Sequence, residues 1–373
     1  MASGWRLVDS TLREGDQTAG LSFSLEQKVE LAAGLVRLGI EEIEVGVANL
    51  LAPELTELVR RCRAQAQVAR LALWCRCVPE DIAFAATLAP EVLSLSIPLS
   101  DLHIATKLGK NRPWVLARIA QSIGLARNGG LNYVSIGFED ATRADPKFVL
   151  RAAQVAERAG ADRVRLADTV GIATPASIGN LLKIVREKVS LELGVHMHND
   201  FGMATANAVA AFEAGADWAD VTLLGLGERA GNSRLEEVAG FLALRQGRGY
   251  RLETLRPLTS LVAKMAKKEI DPQHPLVGER IFACETGLHL LGLARDHRTY
   301  EPYDPALVGA SRQAIYGGKI GRGGVRLRLE QLGLQCSGQN LSGLTDRFRR
   351  QCLALGRPLV DHEVRRMVEE YSS

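Results

Sequence analysis

Residues 162–198, DRVRLADTVGIATPASIGNLLKIVREKVSLELGVHMH, decide the fold. The run DRVRLAD at 162–168 reads as a strand. The segment 175–189 reads as a helix that opens on Pro175, where a missing N–H costs nothing. ELGVHMH at 192–198 reads as a second strand. The same unit recurs on both sides. Further strand-like runs stand near 5–9, 41–47, 69–76, 91–97, 131–138 and 217–224. Helical stretches lie near 24–38, 53–66, 79–88, 113–128, 146–159, 203–214 and 234–246, with Pro53 and Pro146 near two of their starts. Gly39, Gly160 and Gly215 close three helices just before the next strand, as left-handed caps do. Eight strand–helix units in about 250 residues predict an α/β protein, a (β/α)8 TIM barrel. An open doubly wound sheet fits less well, because no glycine-rich dinucleotide turn follows the first strand.

The pattern changes after about residue 250. A basic helix is expected over 254–270, then a Pro-rich break at 271–275 and a helix-like segment at 284–295. Glycine-rich loops are expected over 303–324, and two amphipathic helices over 343–371, broken at Gly356-Arg357-Pro358. The expected domains are therefore a catalytic barrel at 1–254 and a mainly helical region at 255–373.

In the 373-residue chain, 46 Lys and Arg against 43 Asp and Glu leave a net charge of +3. That balance argues against an electrostatic nucleic-acid binder. Hydrophobic residues at 46% and charged residues at 24% describe an ordinary globular chain. No apolar run approaches the roughly 18 residues of a membrane span, and the N-terminus has no signal-like apolar core. A cytoplasmic enzyme is expected. The cysteines at 62, 75, 77, 284, 336 and 352 are expected as reduced thiols. Cys75 and Cys77 share a strand face, but no further ligand stands nearby to make a zinc site.

Active sites of such barrels sit at the C-terminal ends of the strands. Five strands end there in acidic, basic or imidazole groups: Asp9 to Gln17, Glu139-Asp140, Asp168-Thr169, His196 to Asp200, and Gly225 to Asn232. His196 and His198, two apart on a strand, point to one face and suit a pair of metal ligands. Glu14 across the mouth supplies a third, anionic donor. Such a set suits Mg, Mn, Zn, Co or Fe(II) without selecting one. Arg13 beside it either holds a developing oxyanion or pairs with Asp9 or Glu139. Thr169 either binds a substrate carboxylate or caps the next helix. The glycine-rich run at 225–232 offers backbone N–H donors to an anionic cofactor.

Three motifs, DSTLREGDQ at 9–17, HMHNDFGMATANA at 196–208 and GLGERAGN at 225–232, resemble the acyl-CoA Claisen-condensing enzymes. These are the homocitrate, 2-isopropylmalate and citramalate synthases, in a wider superfamily of metal-dependent barrels that includes hydroxymethylglutaryl-CoA lyase. The resemblance covers nearly the whole chain. WCR at 74–76, SIPLSD at 96–101, EDATRAD at 139–145 and LADTVG at 166–171 look most like the homocitrate synthases of nitrogen fixation, which supply homocitrate for the nitrogenase iron–molybdenum cofactor.

The resemblance implies a metal on Glu14, His196 and His198 that chelates 2-oxoglutarate, and an alkoxide held by Arg13. It implies an enolate of acetyl-CoA that attacks the ketone, then thioester hydrolysis. Acid–base work is assigned to Glu139 and, from the partner subunit of a homodimer, to His289 and Tyr300. Gln17 and Thr169 are expected at the oxo acid. Gly227, Arg229 and Asn232 are expected to face acetyl-CoA, with Asn232 also supporting the metal shell through water. The chain departs from its relatives at three places. Ser135 stands where lysine-pathway homocitrate synthases carry an Arg, so Arg76, or a residue near Ser96–Ser100, is expected to bind the distal carboxylate instead. Cys284 replaces a His, and Gly318-Lys319-Ile320-Gly321-Arg322 replaces G-K-H-S-G. Condensation with pyruvate or 2-oxoisovalerate, reverse cleavage, and a catalytically weak metal- or CoA-binding paralogue are the competing readings.

Overall fold

The computed structural model describes residues 4–49, 54–65, 69–335 and 340–372; Pro53 and Cys336 lie outside them. The chain forms two compact units, Met1–Ile270 and Asp271–Ser373. Among the described residues no helix is long and apolar enough to cross a membrane.

In the first unit strands and helices alternate. They are β1 (Arg6–Asp9), α1 (Leu25–Leu38), β2 (Glu42–Val47), α2 (Leu55–Gln65), β3 (Arg70–Arg76), α3 (Pro79–Leu88) and β4 (Val92–Pro98). After a one-turn α4 (Asp101–His103) come α5 (Arg112–Asn128), β5 (Val134–Glu139), α6 (Pro146–Arg158), β6 (Arg163–Asp168), α7 (Pro175–Arg186), β7 (Glu192–Met197), α8 (Ala204–Glu213), β8 (Trp218–Val221), α9 (Leu235–Gln246) and α10 (Leu255–Met265). Each strand pairs with the next, and β1 pairs in parallel with β8, so the sheet closes into the expected eight-stranded barrel.

Local chemistry sets the boundaries. Ser24 and Gln27 form a reciprocal capping box at the start of α1, and Gly39 ends that helix at φ 100°, which a side chain resists. Pro79, Pro146 and Pro175 open α3, α6 and α7. Strand β8 ends at Val221, short of the expected 224, because the chain turns at once through Leu223–Gly225 with Leu224 at φ 56°. The π-helical turn Ile104–Leu108 after α4 was not legible in the sequence.

The barrel lumen is ionic. Arg163 on β6 donates to both carboxylate oxygens of Glu42 on β2, at 2.6 and 3.2 Å, and through Nε to Ser135 Oγ at 3.0 Å. β2 and β6 are not neighbours, so these bonds cross the interior. Apolar residues such as Ile43, Leu71, Leu93, Ile136 and Val164 alternate with the inward groups and are buried beneath the helices.

Helix α10, which follows residue 254, belongs to the first compact unit. Helix α10 packs on α1, where Gly34 gives it room: a Cβ there would stand 2.4 Å from Leu258 Cδ1.

The second unit has a short parallel pair, β9 (Ala283–Cys284) with β10 (Gln313–Ala314), and helices α11 (Gly287–Arg295), α12 (Arg322–Gln331), α13 (Leu341–Leu355) and α14 (Asp361–Ser372). Helix α12 replaces part of the expected loop. Its glycines serve close packing: a Cβ on Gly323 or Gly324 would stand 2.6 Å from Leu291 or Ile320.

Candidate active site

Strand β7 carries His196, and His198 follows just beyond it, bridged to Asn232 of the glycine-rich loop. Strand alternation sends both imidazoles inward. Glu14 reaches them from the turn after β1. The three side chains are buried, and their potential ligand atoms all lie within 4.8 Å of one another. The two Nε2 atoms are 3.1 Å apart, and His198 Nε2 lies 3.9 Å from Glu14 Oε1.

A chain of buried charge backs this cluster. His196 Nδ1 donates to Asp220 Oδ2 at 2.9 Å, and the same oxygen accepts from Arg165 NH1 at 2.6 Å. Arg165 NH1 also reaches Glu44 Oε1 at 3.3 Å. Glu44 Oε2 accepts from Arg13 Nε and from Ser10 Oγ, each at 2.7 Å. Arg13 NH1 completes the circuit by pairing with Glu14. Arg13 is thus paired with Glu44 and Glu14 rather than with Asp9 or Glu139. Asp9 is occupied by Thr11, which donates through its amide and its hydroxyl at 2.9 and 3.0 Å.

The ionisation states follow from this packing. Burial alone would raise the Glu14 carboxyl, but Arg13 and the two imidazoles outweigh it and hold the group below the usual carboxylate range. Burial and the adjacent His196 push His198 down to about 3, so it is a neutral imidazole. Arg229 can only donate, and its NH2 lies 2.9 Å from His198 Nδ1. His196 Nδ1 is held by Asp220, so its Nε2 faces His198 and the interior of the cluster. Two imidazoles and one carboxylate that converge in this way fit a divalent cation. Asp220 supplies the carboxylate that commonly orients a ligating histidine. Asn232 Oδ1 is buried beside the cluster without a hydrogen-bond partner.

The other expected site residues fall in separate places. Glu139 ends β5 and accepts from Ser96 Oγ at 3.1 Å and Lys107 Nζ at 2.5 Å. With Arg76, Ser96 and Trp74 it lines a cavity of about 630 Å³. Arg76 is tied there to Asp81 at 2.8 Å and its side chain is 63% exposed. Gln17 lines a different cavity of about 500 Å³ with Arg13 and Lys28. Thr169 does not cap the next helix, since Thr174 does that; its Oγ1 accepts from the Asp140 amide at 2.8 Å. The Gly225, Gly227 and Gly231 N–H groups, expected as anion donors, are taken up by Thr222 O, Thr18 Oγ1 and Glu228 O. These glycines instead permit close approach. Gly231 has φ 85°, and a Cβ there would stand 1.8 Å from Gly225 O. Arg229 has φ 55° and is paired with Asp200 at 2.9 Å.

In the second unit the His289 and Tyr300 rings stack, with centroids 4.0 Å apart. Ile320, in the altered 318–322 segment, is fully buried in that unit's core, so its side chain serves packing. Ser135 faces the lumen and is held by Arg163. Asp220, Glu44 and Arg165 were missed from the sequence. Their signal was there in Glu42-x-Glu44 and Arg163-x-Arg165, charges at strand spacing inside apolar runs.

A family model described as HMGL-like matches residues 5–262. The chain belongs to this family. A second, described as homocitrate synthase post-HMGL domain-like, matches residues 276–354. The chain is 40% identical over 330 residues to the homocitrate synthase of Frankia alni, covering 88% of this chain and 93% of that one. It is 36% identical to 2-isopropylmalate synthase 2 of Caldanaerobacter subterraneus subsp. tengcongensis, over 98% and 95% of the two chains. It is also 36% identical to the (R)-citramalate synthase CimA of Methanocaldococcus jannaschii, over 98% and 74%. Among solved structures, the HMG-CoA lyase of Brucella melitensis aligns with TM-score 0.64 at 20% identity, over 72% of this chain and all of that one. That likeness concerns the fold alone.

Proposed function

We propose that this chain is a homocitrate synthase, an acyltransferase that condenses acetyl-CoA with 2-oxoglutarate and hydrolyses the resulting thioester. The observation that carries the reading is the buried Glu14–His196–His198 cluster beside Arg13, in a barrel followed by a segment of the homocitrate synthase post-HMGL type. The relatives' printed names include homocitrate, 2-isopropylmalate and citramalate synthases, so an acetyl-CoA-dependent synthase is the common denominator and the oxo acid is this proposal's own choice. The nitrogen-fixation motifs favour nitrogenase cofactor assembly as the destination of the product.

Glu14, His196 and His198 would hold a divalent metal, which would supply Lewis acidity toward the oxo acid when bound. Arg13, held by Glu44, stabilises the oxyanion that develops on the ketone oxygen. Thr169 Oγ1 accepts from the Asp140 amide, which leaves its own O–H to donate to a substrate carboxylate. Glu139 takes the acetyl methyl proton. The stacked His289 and Tyr300 of a second copy complete the acid–base set in a homodimer, with the C-terminal region acting as lid. Gln17 contacts the oxo acid, and Gly227, Arg229 and Asn232 border the acetyl-CoA site.

The test is CoA thiol release by metal-stripped and metal-replenished protein, offered acetyl-CoA with 2-oxoglutarate, pyruvate or 2-oxoisovalerate. Metal-dependent release with 2-oxoglutarate alone is expected. Release only with pyruvate or 2-oxoisovalerate would replace the reading by citramalate or 2-isopropylmalate synthesis. Metal binding without release would leave a non-catalytic binding protein. Restored activity on mixing Glu14→Gln with His289→Ala subunits would support the shared site.

A further inference from the structure

Within the barrel lumen one arginine is placed to read a substrate. Arg165 spends a single nitrogen, NH1, on both of its acid partners, Asp220 and Glu44. Its Nε and NH2 turn towards β5 at Gly137, lying 3.5 and 3.7 Å from where a Cβ at that glycine would stand. In the sheet register Ser96, Gly137 and Arg165 stand side by side across β4, β5 and β6. The row below is Ser94, Ser135 and Arg163. Arg163 is committed to Glu42 and Ser135, but Ser94 Oγ, 1% exposed, has no hydrogen-bond partner. This wall thus combines small side chains, an arginine edge not used by the acids, and an orphaned buried hydroxyl. Asp220 Oδ2, which Arg165 touches, is also the oxygen that orients His196. The arginine therefore adjoins the candidate metal cluster from inside the lumen.

A methyl or isopropyl group against this wall would leave the arginine edge and the Ser94 hydroxyl buried without partners, which is costly. A carboxylate would satisfy both. The alternative cations are worse placed: Arg76 is largely exposed and bound to Asp81, and Lys107 is bound to Glu139. We propose that Arg165 is the specificity residue that receives the second carboxylate of a dicarboxylic 2-oxo acid, with Gly137 kept small to admit it and Ser94 as an additional donor. This rests on the function proposed above.

The test compares wild type with Arg165→Lys, which keeps the charge beside Asp220 and Glu44 but loses the planar fork. Binding of 2-oxoglutarate and of 2-oxobutyrate to Mn(II)-loaded protein is measured by calorimetry. The two acids share the 1-carboxylate and 2-oxo group and differ in the distal carboxylate. Mn(II) affinity and the thermal midpoint of each protein are measured alongside. Arg165→Lys is expected to weaken 2-oxoglutarate about 10- to 100-fold and to leave 2-oxobutyrate within about threefold. Equal weakening of both acids, or unchanged 2-oxoglutarate binding in a folded, Mn(II)-binding variant, overturns the assignment. If Arg165→Lys does not fold, Ser94→Ala and Gly137→Ala are read in its place. Selective loss of 2-oxoglutarate binding in either supports the wall as the carboxylate site, and no loss in both overturns it. Wild type that binds 2-oxobutyrate but not 2-oxoglutarate refutes the function first. Wild type that prefers 2-oxoglutarate, with an indifferent Arg165→Lys, refutes only this inference.

Discussion

Replacing Asp220 tests whether the carboxylate behind His196 builds the metal site. Its Oδ2 accepts two charge-assisted or polar bonds, from His196 Nδ1 at 2.9 Å and Arg165 NH1 at 2.6 Å, at a position 3% exposed. In Asp220→Ala the His196 tautomer is no longer imposed, and Arg165 retains only Glu44 at 3.3 Å. Loss of a partner to a ligating histidine typically weakens metal binding about 10- to 100-fold, or roughly 1.4–2.7 kcal/mol. Asp220→Asn can place its amide oxygen where Oδ2 now stands, which preserves the tautomer but removes the charge. Its loss should then be nearer that of one neutral bond, about 1 kcal/mol or roughly fivefold. The assay is competition between each protein and a fluorescent chelator for Zn(II) and Mn(II). Thermal melts without metal verify that the variants fold. The order wild type, Asn, Ala in affinity is expected. A folded Asp220→Ala that binds both ions within twofold of wild type would refute the reasoning, because His196 would then need no partner to present Nε2.

Three further outcomes follow from the packing. Asp9 is pushed up to about 7 from 3.8, chiefly by burial, with Thr11 opposing. The folded chain therefore keeps a proton that the unfolded chain releases, so this group's contribution to stability declines as pH rises from about 4 to 7, by at most roughly 1.4 kcal/mol per unit. Asp9→Asn should gain on wild type over that interval in melts recorded at successive pH values, and a constant difference would contradict it. Glu42→Leu leaves Arg163 charged and unpaired in the lumen and should cost about 3–5 kcal/mol in urea unfolding, while adding Arg163→Met should recover most of that. Gly231→Ala must move Gly225 O away from a 1.8 Å clash at a backbone with φ 85°. It should lower the melting temperature by several degrees and weaken metal binding, because Asn199 N, next to His198, donates to Gly231 O at 2.9 Å. Unchanged melting and metal affinity would show that the loop can rearrange freely.

Much of this architecture was legible without coordinates. The alternation of strand and helix is a local signal, set by side-chain period and by the residues that can start or stop a helix, and it predicted each barrel strand to within about three residues. His196 and His198 could be placed on one face for the same reason, and Glu14 followed from the rule that barrel chemistry collects at strand C-termini. Three readings had no such local support. The glycines of 225–232 and 323–324 look alike in sequence whether they make loops, donate to anions or admit a neighbour; only the clash distances show the last. Arg13 had several possible acids, and Glu44 was not among those expected. The helix at 322–331 was hidden because two glycines lower helix propensity, while burial of Val325 and Leu329 restores it.

Side-chain period alone sets the facing positions: which residues of each strand lie on one side, and which strand ends carry acids and imidazoles. The partnership of Arg165 with Glu44 and Asp220 was decided by the tertiary structure. These residues belong to β6, β2 and β8, and 121 and 55 positions separate the pairs. No local period relates them. Closure of the sheet turns one face of every strand into a shared interior, where solvent is excluded and each buried charge must find its counter-charge across the lumen.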